Sequence, residues 1–187
     1  MIDYSLPTEV DVKGRKLAVR SDYRAVLDII SALNDVNLND EEKAYIVLKI
    51  FYKDFDAITQ ENVQEALNQC FRFIDMDSKT EGGKQPKLVD WDQDFQYIVT
   101  PINAVAGKEI RALDYLHWWT FISYYYEISG DCLFAQIVNI RNKQAKGKAL
   151  DKAEREWYRQ NKSKVDIHTR YTDAEEELLK AWGGNNG

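Results

Sequence analysis

Few side chains in this sequence are of types and spacings that could do chemistry. His117 and His168 are the two histidines, and neither has a partner at helical ligand spacing. His117 sits among aromatic residues, and a general base there would need a polar group to orient it. A satisfied, partly buried histidine is the expectation; His168 lies in a polar stretch and is expected to be solvated. Cys70 and Cys132 lack metal-like spacing and fall in apolar helical patterns, so buried free thiols are expected. Asp90-Trp91-Asp92-Gln93-Asp94 resembles the start of a calcium loop. The sixth and twelfth positions of such a loop need Gly and Glu, and here they are Phe95 and Pro101. Calcium is rejected, and the carboxylates are read as favouring the positive end of a helix. Asp75 and Asp77 give only a weak metal signal. No Gly-rich phosphate loop or Gly-x-Ser-x-Gly elbow occurs, so no cofactor is expected and an enzyme is the least expected class.

A second kind of chemistry is electrostatic. Between Arg141 and Lys164 there are 9 basic and 3 acidic residues, whereas Asp35–Asp94 has 14 acidic and 7 basic. Trp157 and Tyr158 lie within the basic stretch, and basic residues interleaved with aromatics can bind nucleic acid. The net charge of −6 argues against that partner. The favoured reading is a solvated helix face with the two aromatics packed beneath it; a third reading is a charged arm that docks on an acidic protein.

The strongest feature is the block Asp114-Tyr115-Leu116-His117-Trp118-Trp119-Thr120-Phe121-Ile122-Ser123-Tyr124-Tyr125-Tyr126. Wound as a helix from Asp114 to about Ile128, it places Tyr115, Trp118, Trp119, Ile122 and Tyr126 on one broad face. Leu113, His117, Phe121, Tyr124 and Ile128 cover the other. A helix apolar nearly all round is central to a core or buried between subunits. Tyr and Trp also favour protein interfaces. The candidate partner-binding or core residues are therefore Tyr115, Trp118, Trp119, Ile122, Tyr126, Trp157 and Tyr158.

The elements that must position these residues are mainly helical. Glu9–Val12 and Lys16–Val19 alternate around Lys13-Gly14, which predicts a β-hairpin that must pack on helices or join another subunit's sheet. Ser21, then Asn39 or Asp40, then Thr59 are expected to cap three successive helices. Asp90 with Gln93 forms a capping-box pattern, and Pro101 is expected to kink or end the helix that follows. Asp131 opens the next helix. Asp151 with Glu154 and Thr172 with Glu175 make two further boxes, the last ahead of Leu178, Leu179 and Trp182.

The fold class read from this pattern is mainly α: a helical bundle with a short N-terminal β-hairpin. Only 9 Gly and 3 Pro in 187 residues support long helices over many short strands. One domain is expected over residues 1–187, with the hairpin at 1–20, an exposed linker at 75–89 around Gly82-Gly83, and a basic helical arm at 141–187. The Gly183–Gly187 tail is expected to be disordered. No apolar run approaches a membrane span and the N-terminus lacks a signal pattern, so cytosolic residence is expected.

The aromatic block also resembles a family of small proteins from tailed phages and prophages of Gram-positive bacteria. The resemblance extends back to Pro86-Lys87-Leu88-Val89-Asp90-Trp91 and Tyr97-Ile98. It extends forward to Phe134–Arg141 and Glu156-Trp157-Tyr158-Arg159, and includes Leu6-Pro7 before the hairpin. It is weakest over 100–107 and Asp166–Trp182. Members of that family are regarded as tail assembly chaperones. The resemblance thus implies a protein that binds the tape measure protein, with tail tube subunits as a further partner, in the host cytoplasm and absent from the mature virion. A homo-oligomer is compatible with the pattern. The alternatives are a structural virion connector or completion protein, and a nucleic-acid-binding module using the basic C-terminal helix.

Overall fold

The structure is a computed structural model that describes residues 5–76 and 86–177. Most of the expected linker, including Gly82-Gly83, lies outside the described residues, as do Leu178, Leu179, Trp182 and the glycine-rich tail. The hairpin pairs β1 (Glu9–Val12) with β2 (Arg15–Ala18) in antiparallel register, Val12 opposite Arg15. Lys13 and Gly14 form its turn with φ of 52° and 82°. Positive φ at both central residues matches the right-handed twist of the strands. Val12, Leu17 and Val19 turn inward and are buried, so the hairpin packs on the helices.

Among the described residues, seven α-helices of nine residues or more follow. These are α1 (Tyr23–Asn34), α2 (Asp40–Phe51), α3 (Val63–Ile74), α4 (Trp91–Ala106), α5 (Trp118–Tyr126), α6 (Leu133–Ala145) and α7 (Lys152–Val165). Short 3-10 turns at Phe55–Ala57 and Ile110–Ala112 join α2 to α3 and α4 to α5. Residues 173–177 form a last helical turn. The mainly helical class with an N-terminal hairpin is what the structure has.

The starts of the helices show where side chains compete for the backbone. Asn39 caps α2 in a full capping box with Glu42, and Asp151 does the same for α7 with Glu154. Thr172 and Glu175 exchange the same pair of bonds. Three expected caps are displaced by one to three residues. Asp22, not Ser21, caps α1, because its carboxylate accepts from the Arg24 amide. Asn62 precedes α3 and turns back to accept from the Thr59 amide at 2.7 Å. Cys132, not Asp131, caps α6, its sulfur accepting from the Ala135 amide.

The expected box at Asp90 is re-paired. Asp90 accepts from the Gln93 amide, but Asp94, not Gln93, reaches back to the Asp90 amide at 2.9 Å. Pro101 does not end α4, which runs on to Ala106 and stops at Gly107 with φ of 67°. The left-handed cap suits Gly, whose missing Cβ removes the steric penalty of that conformation.

The largest core unites the hairpin with α1 to α5 and the start of α6, with Tyr23, Phe51, Tyr52, Ile98, Ile102 and Phe121 among its fully buried side chains. Each buried aromatic removes roughly 150–250 Å² from water, on the order of 4–6 kcal/mol before entropy is subtracted. A smaller cluster, Ile137, Ile140 and Val165, joins α6 to α7. Among the described residues, no helix is long and apolar enough to cross a membrane.

Candidate functional site

The aromatic block begins as extended chain. The expected helix from Asp114 starts instead at Trp118, because the preceding backbone is engaged elsewhere. Tyr23 donates its amide to the Leu116 carbonyl at 2.9 Å, and Trp118 donates to the Ser21 carbonyl at 2.8 Å. The Leu116 amide donates to the Asp22 carboxylate at 2.9 Å. A segment already paired this way cannot close helical i→i−4 bonds.

His117 terminates that segment and caps α5. Its Nδ1 accepts from the Trp119 amide at 3.0 Å, which leaves Nε2–H to donate to the Pro7 carbonyl at 2.9 Å. Both ring nitrogens are engaged and the side chain is buried, in keeping with the satisfied histidine read from the sequence. Burial disfavours the imidazolium and lowers its pKa, against a smaller opposing effect of the Pro7 hydrogen bond.

The tandem tryptophans finish another helix. The last carbonyls of an α-helix have no intrahelical donor. Trp118 Nε1 donates to Ile74 O at 2.8 Å and Trp119 Nε1 to Phe73 O at 2.9 Å, both at the end of α3. Trp118 is buried and Trp119 half-buried. From there aromatic contacts run across the body: Phe121 stacks on Tyr23 at 4.7 Å and on Trp118 at 5.6 Å, and Trp91 meets Tyr125 at 5.1 Å. Tyr125 meets Phe134 of α6 at 5.9 Å. Ile122 is buried, whereas Tyr115 is 52% and Tyr126 69% exposed. The five residues assigned to one face are therefore divided between core and solvent. Tyr115 lies before the helix, with its hydroxyl 2.8 Å from that of Ser21.

Trp157 and Tyr158 of α7 are half-buried and pack against Ile137, Ile140 and Val165. The Tyr158 hydroxyl donates to the Asp166 carboxylate at 2.7 Å, which raises its pKa together with burial. Lys146, Lys148, Lys152 and Arg155 remain exposed around the α6–α7 connection.

One ionic cluster has no counterpart in the sequence analysis. Arg141 of α6 and Asp94 of α4 have side chains only 5% and 0% exposed and form a two-pronged pair at 2.6 and 3.0 Å. Above it Asp90, also buried, is met by Lys87 at 2.8 Å and by Arg170 at 2.7 Å. Burial favours protonated Asp90, but hydrogen bonds from Lys87 and the Gln93 amide, with the charges of Lys87 and Arg170, outweigh it and lower its pKa. Asp94 and Arg141 each occupy the apolar stripe of their helix, Asp94 four residues before Ile98 and Arg141 four after Ile137. A charge in such a position is the signal that marks the pair. Among the described residues, no group of three or more His, Cys, Asp or Glu could hold a metal ion.

The arrangement offers surfaces for binding. A groove of about 550 Å³ runs between α4 and the α5–α6 connection, lined by Tyr97, Pro101, Val105, Cys132, Leu133 and, as the one charged side chain among the described residues, Glu127. Val105 and Leu133 are 38% and 40% exposed there. A shallower apolar groove of about 380 Å³ lies between α2 and α3, beside the exposed Tyr45.

A search of curated proteins and of solved structures returns no match. The family described as Bacteriophage Gp15 protein matches residues 2–167, from before the hairpin to just past α7. That span holds the aromatic block, the Asp94–Arg141 pair and the α4–α6 groove together, and the chain belongs to the bacteriophage Gp15 protein family.

Proposed function

We propose that this phage protein is a tail assembly chaperone that binds the tape measure protein, and in some contexts tail tube subunits, in the host cytoplasm. The proposal is one of binding and not of catalysis. The observation that carries it is the apolar, helix-walled groove on a body of net charge −6. A tape measure protein is a long, helical, partly apolar chain, and a helix laid in an apolar groove is one way to keep such a chain from self-association. The resemblance of the aromatic block to tail chaperones supports the same reading. Because the tryptophans and most of the aromatic block are spent on the core, binding falls to the flanking helices.

The test is co-expression with the tape measure protein of the same phage genome. The proposal expects that partner to stay in the soluble fraction with this chain and to be recovered bound to it. Equal aggregation with and without the chain would refute it. Mass spectrometry of purified particles separates the connector alternative: a chaperone is absent from them and a connector is present. For the nucleic-acid alternative, binding that falls steeply with added salt would support it, and unaltered mobility of DNA and RNA at low salt would remove it.

A further inference from the structure

The α4–α6 groove has features that define its occupant. Its wall is the outward stripe of α4, Tyr97, Pro101, Ala104 and Val105, at i, i+4, i+7 and i+8. The adjoining stripe of the same helix, with Ile98 and Ile102, is buried in the core. The outward stripe spans eight residues of rise, about 12 Å, or a little over two helical turns. That length receives the i, i+4 and i+7 side chains of one amphipathic helix. A second copy of this globular chain is a poorer fit, because a standard protein–protein interface covers about 800 Å² per partner, well beyond one such stripe.

The charge of the groove is acidic. Among the described residues that line it, Glu127 is the only charged one, beside the neutral Gln96, Thr100 and Ser129. Pro101 has no N–H to give to the Tyr97 carbonyl, the acceptor one turn before it. A cation on the incoming helix would complement both.

We propose that this groove is where the partner docks: it takes a single amphipathic helix of the tape measure protein, with aliphatic residues at i, i+4 and i+7 and a lysine or arginine alongside them that meets Glu127. This assignment rests on the chaperone reading above, and the experiment separates the two.

The full chain and its Val105→Asp, Leu133→Asp, Glu127→Lys and Tyr45→Asp variants are each co-expressed with the tape measure protein of the same genome, and the bound partner is quantified. All four changed positions are exposed, so each variant is expected to fold, which circular dichroism and thermal melting check. Val105→Asp and Leu133→Asp are expected to lower recovery about tenfold or more, the scale of a central anchor residue. Glu127→Lys is expected to lower it severalfold, and Tyr45→Asp, on the other apolar groove, to leave it unchanged. In the purified complex Cys132 should alkylate about tenfold more slowly than in the free chain, because it lines the same groove. Undiminished recovery by folded Val105→Asp and Leu133→Asp, with Cys132 unprotected, overturns the groove while leaving the chaperone reading in place. Undiminished recovery by Glu127→Lys alone overturns the basic flank. A wild-type chain that self-associates, and that Val105→Asp renders monomeric, makes the groove a self-interface and overturns the assignment. Failure of the unaltered chain to recover any tape measure protein refutes the chaperone reading, and this assignment with it.

Discussion

Arg141 places all five of its guanidinium N–H groups on acceptors, two of them on the carboxylate of Asp94. The others reach the carbonyls of Leu88 at 2.9 Å, of Lys164 at 3.0 Å and of Val165. One side chain thereby ties together the segment entering α4, α4 itself, α6 and the end of α7. A rigid planar fork with five donors can do this where a lysine could not.

Because both charges are buried, the pair is poorly screened, and removal of one member strands the other. Arg141→Leu is expected to cost about 3–5 kcal/mol of stability in urea unfolding followed by circular dichroism. Asp94→Asn should also destabilise, since its single amide oxygen replaces only one of two accepting oxygens and its NH2 sets a donor against an N–H of Arg141 or of the Asp90 backbone. The double change Asp94→Leu with Arg141→Met should recover part of the loss, as hydrophobic replacement of a buried pair often does. A loss under about 1 kcal/mol for Arg141→Leu would show that the clamp carries little.

The two sides of this pair illustrate what the sequence made legible. Helix periodicity and capping boxes located nearly every element, because those signals are local: Asn39 with Glu42 and Asp151 with Glu154 act within three residues. The extended run before Trp118 was not legible locally. Its conformation is set by Ser21, Asp22 and Tyr23, more than ninety positions away in the chain. The tandem tryptophans were found as a block, but their role as donors to the end of α3 depends on the same long-range packing. The groove, likewise, needs α4 and α6 side by side before its lining exists.

His117 gives the fold a pH dependence of definite sign. Its proton is held less tightly in the folded chain than in the unfolded one, whose imidazole has its ordinary pKa near 6.5. The unfolded state then binds more protons, so stability rises with pH across this window. The contribution is complete above about pH 6.5 and is lost as pH falls toward the lowered folded value. The facing groups are the rings of Phe73, Tyr115 and Trp119, none of which offers a counter-charge. The melting temperature should fall between pH 7.5 and 5.5, and His117→Asn should flatten that slope while keeping an acceptor for the Trp119 amide. An unchanged slope in the variant would assign the dependence to other groups.

The two thiols should differ sharply in reactivity. Burial pushes the Cys70 thiol up to about 12 and leaves it no exposed surface. Since the thiolate is the reactive form, Cys70 should resist iodoacetamide at pH 8 in the folded chain. Cys132 is half-buried at the groove and should react first. Intact mass after brief alkylation should show one adduct, mapped to Cys132, with a second only in denaturant. An adduct on Cys70 in the native chain would contradict its packing.

Arg170 holds the segment after α7 by a weaker version of the Arg141 clamp. None of residues 166–177 is buried, and the segment lies against the body through polar contacts: Arg170 with Asp90 and Asp92, each at 2.7 Å, and Gln93 with the Asp166 carbonyl at 2.9 Å. Arg170 itself lies beyond the family match, which ends at 167. Its side chain is 29% exposed, and Asp90 keeps Lys87 as a second partner when Arg170 is lost. Arg170→Ala should therefore cost about 1 kcal/mol or less, well below Arg141→Leu. Hydrogen exchange should quicken across 166–177 and leave α6 and α7 protected. Added salt should weaken the Arg170 contacts and spare the Arg141 pair, because screening acts on exposed charges and little on buried ones. The lowered pKa of Asp90 sets the acid limit of the same contacts: their stabilisation is present above the ordinary carboxylate range and is lost as pH falls below it. Exchange across 166–177 that does not respond to Arg170→Ala would mean that the hydrogen bonds of Gln93 and of Asn37 with Asp173, and not the ionic cluster, fix this segment.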